Sequence, residues 1–395
     1  MSTLALGWDV HRKFSKVSLQ EMTSEGQIGV VERARLEHGD HQAMRQWLSR
    51  VPAGTPVALE AAFGWPWIAD LLEEVGLEPH LGHPPAIKVL AQHEAKGDRC
   101  DADRLGKFQL RGILPESYLA PPEVRQRRER MRYRIALVRL HTGVKNRVQA
   151  ILHRLGILHS FSDLFGKGGR AFLEKLDLPE ASQAVLGGYL RLLDHLREEI
   201  EQVEQWMRRN LPQDKVVRWL KTLPGIGVIL AHVIRAEIGQ IERFPRYRHL
   251  GSYSGLAPLS DDSADRHGRR HCSPACNHTL RWALIEAATG VLATKGTKAW
   301  RLRRLYGRLT GGGRYNKNQA KVALARELIK LVYVVWSKGE PYTETPPPRP
   351  GTPAENQRAR QTRRNDKTAK TTLRPDQPRH PMVRRRRKAV GQTPS

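Results

Sequence analysis

Asp9 closes the apolar run Leu4-Ala5-Leu6-Gly7-Trp8, and Glu60 closes Val57-Ala58-Leu59. Asp98 and Asp101 stand three residues apart in Lys96-Gly97-Asp98-Arg99-Cys100-Asp101-Ala102. A carboxylate at the end of a buried strand is costly unless a positive group meets it. Two acids at that helical spacing share one face and repel. A divalent cation answers all of these demands together. Hard Mg²⁺ or Mn²⁺ takes oxygen ligands and leaves positions for substrate phosphate, so the chemistry indicated is phosphodiester transfer, with two ions about 4 Å apart flanking the attacking and leaving oxygens. Any one of these acids alone reads as a helix cap or salt-bridge partner. Asp103, between Arg99 and Arg104, is given that ordinary reading.

A second group centres on Ser263. Tyr253-Ser254-Gly255-Leu256-Ala257-Pro258 leads into Leu259-Ser260-Asp261-Asp262-Ser263-Ala264, and Asn277 and Leu280-Arg281 follow. A serine attacks phosphorus only when its hydroxyl loses a proton and the growing charge on phosphate is neutralised. Arg266, Arg269, Arg270 and Arg281 are the candidates for that second task, and Ser260 and Ser254 are the fallback hydroxyls. His267, His271, Cys272, Cys276 and His278 offer softer ligands, but their spacing matches no standard zinc site, and zinc is not expected.

These groups sit in a chain of 395 residues with 67 Lys and Arg against 40 Asp and Glu, a formal charge of +27. A field of that size favours polyanions, and nucleic acid is the expected partner. No apolar run approaches the ~20 residues that span a bilayer, so no membrane attachment is expected. Trp8 and Asp9 interrupt the first apolar stretch, which speaks against a signal peptide. Three cysteines are too few for a disulfide framework and suggest a reducing cytoplasm.

The elements that must position the two groups read as α/β followed by all-α. Strand-like runs at 4–9, 15–20, 28–33 and 56–60 precede a helical pattern from Trp65 to Val75, a short run at Pro79–Leu81, and one helix from Pro85 through Leu110. Strands in succession and then alternating with helices predict a mixed sheet flanked by helices. From Arg125 to Arg154, Ile135, Val144, Val148 and Leu152 recur at helical spacing among many arginines, and Leu186, Leu190, Leu193 and Leu196 do the same between Ala181 and Met207. Two long helices predict a hairpin arm, for self-association or nucleic-acid contact. Leu223-Pro224-Gly225-Ile226-Gly227 ahead of a helix at Val228–Ile238 has the look of a helix-hairpin-helix turn. There Gly225 and Gly227 would free backbone N–H groups for a phosphate. The loop Pro258–Asn277 is long and polar. The division expected is 1–120, 121–215 for the arm, 216–342, and a low-complexity basic tail, 343–395, too poor in apolar residues for a core.

The order Asp9, Leu59-Glu60-Ala61, then Lys96-Gly97-Asp98-x-x-Asp101-Ala102 resembles the DEDD transposases of the IS110/IS1111 insertion-sequence family. Leu223-Pro224-Gly225-Ile226-Gly227, Glu237-Ile238-Gly239, Arg243-Phe244, Tyr253 to Pro258, Asn277 with Leu280-Arg281, and Gly339-Glu340-Pro341-Tyr342 resemble that family's C-terminal domain. The resemblance runs from about residue 4 to 342. It implies a RuvC-like, RNase H-type domain, a helical coiled-coil insertion, and a C-terminal domain supplying a nucleophilic serine, here Ser263. Asp9, Glu60, Asp98 and Asp101 become the metal-binding acids. It also implies DNA partners at the element's ends and target, a structured guide RNA encoded by the element, and a dimer or tetramer in a bacterial cytoplasm, associated with the nucleoid. The chain departs from the family pattern at Gly97, Ala264, Pro274 and Cys276.

The expectation is a Mg²⁺-dependent transposase that cuts and rejoins DNA, with Ser263 forming a transient phosphoserine link. The alternatives are a RuvC-type junction-resolving nuclease that uses water, and a nucleic-acid scaffold whose acids are structural.

Overall fold

The computed structural model describes residues 3–91, 98–259, 271–272, 275–294, 299–311 and 316–344, with the side chains at 98–100, 258–259 and 271–272 left out. The chain divides into two compact units, Met1–Arg130 and the residues from Met131 onward.

The first unit is built on β1 (Thr3–Val10), β2 (Phe14–Met22), β3 (Ile28–Glu37), β4 (Pro56–Glu60) and β5 (Glu78–Gly82). Their order is β3-β2-β1-β4-β5. β1, β2 and β3 pair antiparallel, while β4 runs parallel to both β1 and β5. This is the mixed sheet that the strand pattern predicts. Successive side chains on a strand point to opposite faces, and here that parity separates the core from the acids. Leu6, Trp8, Val57 and Leu59 pack on one face with Met44 and Leu48 of α1 (His41–Leu48) and Ile68 and Leu72 of α2 (Trp65–Glu74). Ala58 faces the other way, toward Ile87 of α3 (Pro84–Leu90) and Leu105 and Phe108 of α4 (Asp98–Leu110). Helices thus cover both faces. The single helix expected over 85–110 is two, α3 and α4, and α1 was not foreseen.

The second unit contains most of α5 (Pro122–Arg154), then α6 (Lys167–Glu174) and α7 (Glu180–Asn210). Leu137, Val144, Val148 and Leu152 of α5 interlock with Leu186, Leu190, Leu193 and Leu196 of α7, which forms the predicted two-helix arm. α6, within the connection, contributes Leu173 to that core and was missed by the periodicity reading. The base of the arm joins the rest of the unit. Met131, Ile135, Val203 and Met207 share one hydrophobic cluster with α8 (Lys215–Lys221), α9 (Val228–Ile238), α10 (Tyr247–Tyr253), α11 (His278–Ala293), α12 (Trp300–Thr310) and α13 (Lys317–Lys338). A two-residue ladder, β6 (Pro258–Leu259) with β7 (His271–Cys272), closes the base of the polar loop. Among the described residues no helix is long and apolar enough to cross a membrane.

Candidate active site

Asp9 and Glu60 share a sheet edge because of the register. β1 and β4 are paired in parallel with Gly7 opposite Ala58 and Trp8 opposite Leu59, so the next step along both strands brings Asp9 and Glu60 to neighbouring strand ends. By the same parity both lie on the α4 side, away from the Leu6–Trp8 core. The helix seats there because Gly7 has no side chain. A Cβ at Gly7 would lie 1.8 Å from the carbonyl oxygen of Ala102 and 2.7 Å from the nitrogen of Gly106. Gly106 in turn leaves room for Gln20, whose buried amide donates to Ser18 Oγ at 3.1 Å and to the Asp103 carbonyl at 2.8 Å. The Gln20 amide N–H groups beneath α4 are thus satisfied within the chain. Asp98 and Asp101 ride on the first turn of this helix.

The electrostatics follow from that placement. The half-buried Glu60 carboxyl is pushed above the usual glutamate range, first by burial and then by the negative charges of Asp9 and Asp101. His11 Nε2 comes within 3.1 Å of Asp9 Oδ2. Asp101 takes an ion pair from Arg104 at 2.7 Å. Asp103, given the ordinary reading in the sequence, is held by a two-point contact from Arg33 of β3, at 3.0 and 2.7 Å. Its cation is thus Arg33, while Arg104 serves Asp101. Asp9, Glu60 and Asp101 are electrostatic neighbours with hard oxygen donors, which is the donor chemistry a Mg²⁺ or Mn²⁺ ion needs. Among the described residues, however, no three Asp, Glu, His or Cys side chains converge into a closed cage, and the side chain of Asp98 lies outside them.

The second group is anchored by a network that the sequence did not disclose. Glu237, on the last turn of α9, is fully buried. It accepts both arms of the Arg132 guanidinium, at 2.8 and 2.9 Å, and the side-chain amide of Asn277 at 2.8 Å. Asn277 also donates to Tyr253 Oη at 3.0 Å, and its backbone N–H donates to the Tyr253 carbonyl at 2.8 Å. The Asn277 side chain meanwhile caps α11 by accepting from the Leu280 N–H. The two stems of the 258–277 loop are therefore fastened to each other and to one buried carboxylate. Arg281 donates to the carbonyls of Ser254 and Gly255 at 3.3 and 3.4 Å, so this candidate phosphate binder also braces the loop stem. Ser254 is fully buried and donates to the Gly251 carbonyl at 2.9 Å, which makes it a structural hydroxyl rather than a fallback nucleophile. Ser263, Ser260, Arg266, Arg269 and Arg270 lie outside the described residues.

The two glycines of the hairpin separate. Gly225 has φ +78°, and a Cβ there would lie 2.1 Å from the Ala287 carbonyl oxygen, so its bare backbone serves the contact with α11. Gly227 is exposed at the start of α9, with none of the described residues within 4 Å of where its Cβ would be. Of the pair, it is the one that leaves room for a ligand. Sequence reasoning quoted Glu237, Tyr253 and Asn277 as motif letters without seeing that they touch. A buried-type glutamate inside the apolar run Val233-Ile234-Arg235-Ala236-Glu237-Ile238 was the available signal.

Comparison with known proteins finds relatives along most of the chain. The model of the IS116/IS110/IS902 transposase family matches residues 217–306, which span the hairpin, the loop and the network's Glu237, Tyr253 and Asn277 but not its Arg132. The chain is 24% identical over 292 residues to the transposase of insertion sequence IS1328 from Yersinia enterocolitica, covering 73% of this chain and 85% of the relative. It is 24% identical over 282 residues to the transposase of IS1111A from Coxiella burnetii, covering 68% and 74%. A stretch of 128 residues is 29% identical to the 43.6 kDa protein of IS110 from Streptomyces coelicolor, covering 32% of this chain and 30% of that one. The molecule is a transposase of an insertion sequence. Over residues 217–306 it is similar to the IS116/IS110/IS902 transposase family.

Proposed function

We propose that this transposase cuts and rejoins DNA by metal-assisted phosphoryl transfer. Asp9, Glu60, Asp98 and Asp101 would hold the cations and Ser263 would act as nucleophile. The observation that carries the reading is Glu60, at the end of β4, a carboxylate made hard to ionise by burial and by the charges of Asp9 on the neighbouring strand end and Asp101 on the covering helix α4. Such an arrangement is destabilising by itself and becomes favourable once a cation binds. The strand order β3-β2-β1-β4-β5, with acids at the ends of β1 and β4 and on a covering helix, supports an RNase H-type, RuvC-like reading of the first unit. When bound, the ion supplies charge neutralisation at the phosphate oxygens. The seryl Oγ bonds to phosphorus as a DNA oxygen leaves, and attack by a DNA hydroxyl on the phosphoserine restores the serine. Ser263→Ala should abolish covalent protein–DNA adducts on a denaturing gel while nucleic-acid binding persists. Adducts formed by that variant would refute the serine, and cleaved ends without any adduct in the wild type would favour hydrolysis by water.

We also propose that the arm self-associates. α5 and α7 each carry a second stripe beside the one that joins them: Tyr133, Ala136, Leu140, Gly143 and Ala150 on α5, and Ala181, Val185, Gly188 and Leu192 on α7. The 2.9 Å hydrogen bond from Tyr133 to Glu199 places the two stripes on the same side of the hairpin. Leu140, Val185 and Leu192 are exposed. The alternating three- and four-residue spacing is that of a coiled-coil seam. A glycine inside a helix costs about 1 kcal/mol relative to alanine. At Gly188 none of the described residues comes within 4 Å of a Cβ, so no contact among them accounts for that cost. Close approach of a second copy's helices does. Leu140→Glu with Leu192→Glu should shift the protein to monomer in sedimentation, and an unchanged mass would remove the arm from the assembly. The formal +27 supports DNA and a structured guide RNA as the bound polyanions.

A further inference from the structure

The first unit exposes one aromatic ring that its own fold does not use. Phe63 is 91% exposed, more than any other large apolar residue among the described ones. It sits three residues beyond Glu60, in the turn between β4 and α2. That turn is held firmly: the Ala61 N–H donates to the Gly82 carbonyl at 3.1 Å, and the Ala62 N–H to the Glu60 carbonyl at 2.7 Å. Gly64 takes φ +92°, which favours glycine, and ends the turn where α2 begins with Trp65 and Pro66. The neighbouring rings are committed within the chain. The Arg125 guanidinium lies 5.4 Å over Trp65, while His38 and His41 contact Trp67 with centroids 4.9 and 5.5 Å away. Phe63 is thus held in water by a braced backbone, with no such neighbour among the described residues.

The surroundings indicate what the ring meets. Phe63 follows the end of β4, and the exposed Arg12 and Lys13 follow the end of β1, its parallel neighbour on the same sheet edge. Three residues of chain span about 10 Å at most, which is the reach of a nucleotide or two from the Glu60 carboxylate. A flat apolar face beside cations and a candidate phosphate site matches a nucleobase, because every base has a π-face and carries its phosphate with it. A protein partner would need a continuous apolar patch, and of the apolar residues in this turn only Phe63 is exposed, while Ala61, Ala62, Trp65 and Trp67 are half-buried. We propose that Phe63 is a positioning residue on which a base of the DNA strand stacks, unstacked from its neighbours, as the adjoining phosphate reaches the acidic edge. This rests on the reading of that edge as the phosphoryl-transfer site.

The test uses the full chain and a single-stranded thymidine oligonucleotide carrying one 5-iododeoxyuridine, which cross-links to a stacked aromatic ring under long-wave ultraviolet light. The cross-link should map to Phe63 in the wild type and in Glu60→Gln, and disappear in Phe63→Ala. Phe63→Ala should also cut a paired duplex of the element's end about 5- to 100-fold more slowly, the range expected for loss of a stacking platform. Phe63→Trp should restore the rate, and a mismatch at the cut position should rescue Phe63→Ala by removing the need to unstack. A cross-link mapping outside residues 61–67 overturns the proposal. So does Phe63→Ala cutting paired and mismatched DNA with equal defect, or with none. Cutting by Glu60→Gln at the wild-type rate would instead reject the phosphoryl-transfer site, while the cross-link still reports on the ring.

Discussion

Glu60 and Glu237 are the same side chain in opposite circumstances. Glu237 is the more deeply buried, yet Arg132 and Asn277 meet its oxygens within the chain. Glu60 is only half buried, yet its proton is held more tightly than an ordinary glutamate's, first by that burial and then by the negative charges of Asp9 and Asp101. Burial alone therefore does not mark a working carboxylate. What separates them is whether, among the described residues, the fold sets a cation directly on that carboxylate's own oxygens. In the second unit it does, and the carboxylate holds a loop. In the first unit two more carboxylates stand beside Glu60, which points to a cation from solution.

The sharpest way to break this comparison is to remove each charge in turn. Glu60→Gln should reduce strand cleavage on the order of 10³-fold, the scale expected when a group stabilising the transition state is lost, and should leave the metal-free protein no less stable. A metal-free melting temperature clearly below wild type would make Glu60 a structural acid like Glu237. Arg132→Ala should do the reverse, because it strips the guanidinium from a fully buried carboxylate. Losses of about 3–5 kcal/mol are typical of a broken buried pair, and the half-exposed Arg132 places this one near the lower end. Denaturant unfolding would show it, and a cost below about 1 kcal/mol would mean the network is ornamental.

A smaller effect sharpens the same contrast through pH. The folded-state pKa of Glu60 lies above its unfolded value. Between the two, the unfolded chain has released a proton that the folded chain keeps, so this group's contribution to stability falls as pH rises from the ordinary glutamate value through the raised one. A bound cation cancels that loss. The rise in melting temperature on adding Mg²⁺ or Mn²⁺ should therefore be larger at pH 8 than at pH 5, and Glu60→Gln should flatten the difference. An equal rise at both pH values would place the ion elsewhere.

Much of this was legible in the sequence. The alternation in Leu4 to Asp9 and Val57 to Glu60 gave strands with acids at their ends, and the arm follows from leucine spacing. α9 spans Val228–Ile238, as the hairpin reading expects. The break between α3 and α4 was hidden because helical residues continue through it, and α1 and α6 are too short, at eight residues each, for periodicity to stand out. The Glu237 network was illegible for a different reason. It joins positions 132, 237, 253 and 277, and hydrogen-bond partners so far apart leave no mark in local spacing. Phe63 lay in plain view between Glu60 and Trp65, but exposure is a property of the folded chain.

At Gly7 the main chains of β1 and α4 touch with only hydrogen between them. The distance from strand-borne to helix-borne oxygens is consequently a fixed gauge, set by two backbones in contact rather than by the girth of any side chain. Repacking cannot widen it. On the proposed reading of that edge as an ion site, a relative adapted to a larger ion would have to relocate the whole helix, and a bulkier residue at position 7 would be the trace of that shift.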